Sequence, residues 1–133
     1  MKNKLNITLI QSHIYWEDVK SNLKNLDKIL EEINNTDIIL LPEMFNTGFS
    51  PSSFHLAEKM KGETIQWLLD ISKKKHAAIA GTLMIKEKGK VYNRLIWVSK
   101  KGDIYKYDKS HLFTLAKEHK HITKGKNRII IEE

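Results

Sequence analysis

The sequence predicts an α/β fold with a largely parallel sheet, and three observations carry that expectation. Strand-like and helix-like segments alternate from the N-terminus to Ile85. Beyond Ile85 the strand-like segments follow one another across turn signals, which adds an antiparallel portion. Hydrophobic residues make up 41% and charged residues 29%, which is globular composition. At 133 residues the chain corresponds to about one domain, long enough to bury a sizeable core.

Leu5 to Gln11 (LNITLIQ) is apolar and partly β-branched, so it opens the fold as a strand. Glu17 to Asn34 predicts a helix: Val19, Leu23, Leu26, Leu30 and Ile33 recur at spacings of four and three. Glu17 and Asp18 are expected in its first turn, where negative charge suits the helix dipole. Asn34-Asn35-Thr36-Asp37 stops it. Ile38 to Leu41 is wholly apolar and ends at Pro42, the pattern of a strand buried on both faces. Asn46 to Ser53 reads as a loop of turn formers. A second helix is expected from about Gly62 to Lys75, with Ile65, Leu68, Leu69 and Ile71 on its apolar side. Ala77 to Ile85, Val91 to Ser99 and Ile104 to Tyr107 then predict a meander, with turns at 86–89 and 100–103. Ser110 to Lys126 is polar and without period, and Arg128 to Glu133 reads as the start of another strand. A domain rarely finishes there, so the chain reads as cut before the next element.

Several function classes are disfavoured. There is no cysteine, which removes disulfides, thiolate zinc sites and a cysteine nucleophile from these residues. MKNKLNITLIQ does not read as a signal peptide, and no apolar run approaches the roughly 20 residues that span a bilayer. A cytoplasmic location without a membrane partner is the expectation. Lys+Arg 23 against Asp+Glu 16 leaves +7, but the lysines are dispersed and lack interleaved aromatics, so no nucleic-acid partner is expected. His111, His119 and His121 follow no known ligand spacing, and no metal or cofactor is expected. Ser12 and His13 lie in no nucleophile elbow.

Glu43 directly follows the buried strand 38–41, at the carboxyl end where functional residues of open α/β sheets cluster. Pro42, Met44 and Phe45 around it suggest partial desolvation, which favours a general base. A surface glutamate at a strand end is the plain alternative. Lys109, just past the third meander strand, is either one lysine among many or a fixed cation suited to an oxyanion.

Taken together, the segments resemble the nitrilase superfamily of carbon–nitrogen hydrolases, in particular its omega-amidase-like branch. The resemblance runs through Trp16-x-Asp18-x-x-x-Asn22, Leu40-Leu41-Pro42-Glu43-Met44-Phe45, Ala80-Gly81-Thr82 and Tyr92-Asn93. It continues through Tyr107-Asp108-Lys109-Ser110-His111-Leu112-Phe113, Lys117-Glu118-His119 and Thr123-x-Gly125, in that order. It implies an α-β-β-α sandwich, of which residues 1–133 would be the N-terminal half, truncated before the nucleophile strand. It also implies hydrolysis of the amide of a small carboxylic acid, and a homodimer for the full-length family. Glu43 matches the family's general base, Lys109 the lysine that steadies the tetrahedral intermediate, and Glu118 a second, positioning glutamate. The nucleophilic cysteine would follow the strand that Arg128 opens, so this chain alone is expected to be inactive. The alternatives are a non-catalytic remnant of the fold that serves interaction or structure, and a basic nucleic-acid-binding protein.

Overall fold

The computed structural model describes residues 4–132. Its elements are β1 (Ile7–Leu9), α1 (Val19–Glu31), β2 (Ile38–Leu40), α2 (Glu63–Lys75), β3 (Ala78–Glu87), β4 (Lys90–Val98) and β5 (Ile104–Asp108). Short 3-10 turns occur at Phe54–Leu56, Thr114–Ala116 and Glu118–Lys120. The five strands form one sheet in sequence order. β1, β2 and β3 are parallel, and β4 and β5 are antiparallel additions. The mixed sheet follows from the connections: helices cross over between the first three strands, and tight turns join the last three.

The helices are held by local chemistry. Asp18 lies outside α1 as its N-cap and accepts from the Ser21 N–H at 3.0 Å. Glu17 precedes the cap with φ 56°, so neither acid sits in the first turn as the charge pattern suggests. Leu23, Leu26 and Leu30 of α1 and Ile65, Leu68 and Ile71 of α2 pack with Ile39, Ile79, Leu83, Ile85, Ile96 and Val98. This single cluster is the main core, and it lies on one face of the sheet.

Alternation along the strands sends Ile7, Leu9, Ile38, Leu40, Ala80, Leu95, Trp97, Tyr105 and Tyr107 to the other face. Leu9 there is 73% exposed. Among the described residues no α-helix covers that face, and only the 3-10 segments at Phe54–Leu56 and Glu118–Lys120 with their flanks pack on its Met84–Val91 end, so the described residues supply one helical layer and one sheet of the expected sandwich.

Two expectations are corrected. The first strand is three residues long rather than seven, because Asn6 and Ile10 pair with Asp37 and Leu40 only as extended flanks. Arg128 to Glu132 forms no strand: it has no ladder partner among the described residues, and Ile130 is 90% exposed. An apolar β-branched run becomes a strand only where a neighbour completes its hydrogen bonds. Glu133 lies outside the described residues.

Candidate active site

Glu43 follows the carboxyl end of β2, and its two successors hold it there. Met44 is buried with Met84, Val91 and Ile122, whereas Phe45 is buried in the main core. Two adjacent side chains that enter different apolar clusters fix the backbone between them. Met44 takes φ 47°, and its N–H donates to Thr82 Oγ1 at 2.8 Å. Phe45 N–H donates to Thr82 O at 3.2 Å. Gly81 gives room for this: a Cβ there would lie 2.6 Å from the Phe45 ring and 2.9 Å from Leu41 Cβ. The desolvation of Glu43 is only partial. Its neighbours turn inward and its own side chain stays 46% exposed, facing a cleft.

Lys109 is fixed through its main chain. Its N–H donates to Asn93 O at 2.9 Å, and its carbonyl accepts from Gly125 N–H at 2.9 Å. The ammonium reaches Glu43 Oε1 at 2.8 Å and Glu118 Oε2 at 3.1 Å, and lies 5.3 Å from the centre of the Phe49 ring. Burial alone would lower the Lys109 pKa, but the hydrogen bonds that the ammonium donates to the two carboxylates and their charge outweigh it and raise the value.

Glu118 is fully buried. It accepts from Phe113 N–H at 2.6 Å, from Asn93 Nδ2 at 3.0 Å and from Lys109. Burial pushes its carboxyl up, and these donors with the Lys109 charge bring it below the ordinary value. Both groups are therefore charged near neutrality. The cleft above them, about 470 Å³, is lined by Glu43, Phe49, Lys109, His111, Leu112 and Phe113.

The structure thus brings together all three residues singled out from the sequence. It adds Asn93, which the sequence offers only as part of the Tyr92-Asn93 pair. Asn93 shares the alternating stripe of β4 with Val91, Leu95 and Trp97. A polar residue on an apolar period-two stripe was the available signal. The histidines do not converge: His121 stacks on Phe54 at 5.7 Å, and His111 Nδ1 lies 3.1 Å from Ser110 Oγ. Among the described residues no cluster is arranged to hold a metal ion, and no helix is long and apolar enough to cross a membrane.

Comparison with known proteins identifies the frame around this cluster. A family model described as carbon-nitrogen hydrolase matches residues 6–128. The chain belongs to the carbon–nitrogen hydrolase family. This carbon–nitrogen hydrolase chain is 40% identical over 130 residues to omega-amidase YafV of Yersinia enterocolitica, covering 96% of the chain and 50% of that protein. It is 30% identical over 126 residues to the 2-oxoglutaramate amidase of Bacillus subtilis, covering 92% and 49%. Among solved structures, XC1258 of Xanthomonas campestris, a CN-hydrolase superfamily protein with an arsenic adduct in its active site, superposes with a TM-score of 0.93 at 34% identity. That match covers 96% of this chain and 49% of the other. Saccharomyces cerevisiae Nit3, of the nitrilase superfamily, shares the fold at 23% identity and a TM-score of 0.78. The chain spans about half the length of the curated relatives it matches.

Proposed function

We propose that residues 1–133 form the N-terminal half of a carbon–nitrogen hydrolase domain that cleaves the amide of a small carboxylic acid, as omega-amidases do. The Glu43–Lys109–Glu118 cluster carries this reading: two carboxylates share one ammonium beside a cleft at the carboxyl end of β2. Similarity to an omega-amidase over 96% of the chain supports the reaction class.

In this reading Glu43 is the general base and Lys109 the oxyanion donor, with Glu118 holding the lysine. The 133 residues contain no cysteine, so the thiol comes from polypeptide outside them. Glu43 accepts the thiol proton and the thiolate adds to the amide carbonyl carbon. The Lys109 ammonium, 2.8 Å from Glu43, is placed to stabilise the oxygen as it gains charge. Collapse of the tetrahedral adduct breaks the C–N bond, and protonated Glu43 returns the proton to the departing ammonia. Glu43 then takes a proton from water as its oxygen attacks the thioester, which releases the carboxylic acid and the thiol. Without the thiol this sequence has no nucleophile, so these residues alone are inactive.

The test mixes this chain with a segment that carries the family's cysteine and measures ammonia release from 2-oxoglutaramate. Activity is expected in the mixture and not in either part. Glu43→Gln and Lys109→Ala should each lower it by at least about 10²-fold. Full activity in either variant would overturn the assignment. The absence of cysteine favours a second reading, a non-catalytic remnant of the fold, and a folded mixture without hydrolysis would support it.

A further inference from the structure

We propose that Asn93 is a positioning residue that selects which oxygen of Glu43 serves as the base. The inference rests on the reading of Glu43 as the general base. The Asn93 side-chain amide donates one N–H to Glu43 Oε1 at 2.8 Å and the other to Glu118 Oε1 at 3.0 Å. Glu43 Oε1 also accepts from the Lys109 ammonium at 2.8 Å. One oxygen of Glu43 therefore carries two donors. Its Oε2 has no hydrogen-bond partner among the described residues, and the side chain borders the cleft.

A carboxylate with both oxygens equivalent would swing about its last bond and present either to a reacting group. Two donors on Oε1, one from β4 and one from the residue that follows its neighbour β5, remove that freedom. They also withdraw charge from Oε1, which leaves Oε2 the more basic oxygen of a side chain that lines the cleft. Lys109 alone cannot do this, because its three ammonium donors are arranged about a flexible stem and it is shared with Glu118. Asn93 is rigid by comparison. It is 1% exposed, it sits within the β3–β4–β5 ladder, and its own carbonyl accepts the Lys109 N–H at 2.9 Å.

The other end of the amide points the same way. Asn93 Oδ1 is buried and has no hydrogen-bond partner among the described residues. A buried amide that leaves its acceptor unmatched in order to use both donors on carboxylates is oriented by those carboxylates. One planar group thus sets the spacing of Glu43 and Glu118 around Lys109.

The inference is tested by nuclear magnetic resonance on the isotope-labelled 133-residue chain, following the two Asn93 side-chain amide protons and the Lys109 ammonium. In the unsubstituted chain both amide protons should be shifted downfield and distinct from each other. Glu43→Gln should move one of them upfield and leave the other, and Glu118→Gln should reverse the pattern. Asn93→Ala should cost the slowly exchanging Lys109 ammonium signal. Glu43 is half-exposed, so Glu43→Gln keeps the measurement available even where Asn93→Ala fails to fold. Amide protons at free-asparagine positions, or a uniform response to both glutamine variants, would overturn the inference. No nucleophile is needed for this readout. Failure here leaves the proposed hydrolysis standing, whereas failure of hydrolysis leaves the amide signature in place but removes the base whose oxygen Asn93 would select.

Discussion

Gly125 donates its N–H to the Lys109 carbonyl at 2.9 Å and lies against the preceding residue so closely that a Cβ would sit 2.0 Å from the Asp108 carbonyl oxygen. The backbone that presents Lys109 is therefore clamped between β4 on one side and the segment around Gly125 on the other. Gly125→Ala should push Asp108 and Lys109 off this position. The expected loss is about 1–3 kcal/mol of unfolding free energy, the usual cost of forcing a methyl into filled space. Urea denaturation measures it, and the Lys109 ammonium resonance should move in the same variant.

Gly81 predicts a similar effect on the other half of the site. A methyl there meets the Phe45 ring at 2.6 Å, and Phe45 anchors the segment that carries Glu43. Gly81→Ala should destabilise by about 1–3 kcal/mol. The double variant Gly81→Ala with Phe45→Leu should recover part of that loss in the same denaturation experiment, since the shorter side chain vacates the contact. Strict additivity of the two single losses would show that the ring is not the obstacle.

Arg94 ties β4 to β5 just beneath the site. It is 1% exposed, makes two hydrogen bonds to Asp108 at 2.6 and 2.9 Å, and reaches Glu87 at 3.1 Å. The carboxylates that Arg94 leaves behind are 23% and 37% exposed, so water compensates them in part. Arg94→Met should therefore cost about 1–3 kcal/mol, the range for lost hydrogen bonds to charged groups. A double variant, Arg94→Met with Asp108→Asn, should be less destabilised than Arg94→Met alone.

The pH dependence follows from the opposite shifts of Glu118 and Lys109. Glu118 is lowered from 4.5 on folding, so it contributes stability above its unfolded value and loses it as pH falls through the folded one. Lys109 is raised from 10.5, so its contribution is complete below that value and is lost as pH rises through the folded one. Glu118→Gln should shrink the stability difference between about pH 6 and about pH 3. Thermal melting across that range checks it, and an unchanged slope would refute the assignment of the acid limb to Glu118.

Much of the architecture was legible because local rules and global packing agree here. The leucines of α1 repeat at helical spacing, and the core uses that same face. Lys88-Gly89 and Gly102 supply the positive φ that the two hairpin turns require. Where local and global signals parted, the sequence misled. Ile129, Ile130 and Ile131 have strand propensity, but pairing is a property of two segments, and among the described residues they have no partner. The desolvation of Glu43 stays partial for a related reason. Apolar neighbours in the chain do not surround a side chain when they point elsewhere.

The sequence by itself determined the strand and helix order, the family and the residues worth suspecting, because periodicity and motif order are one-dimensional properties. Only the tertiary structure decided that Glu43, Lys109 and Glu118 meet: 66 positions separate Glu43 from Lys109, and the sheet closes that gap to 2.8 Å. It alone placed Asn93 between the carboxylates, since a hydrogen-bond bridge depends on which face of β4 a residue occupies and on what folds against that face.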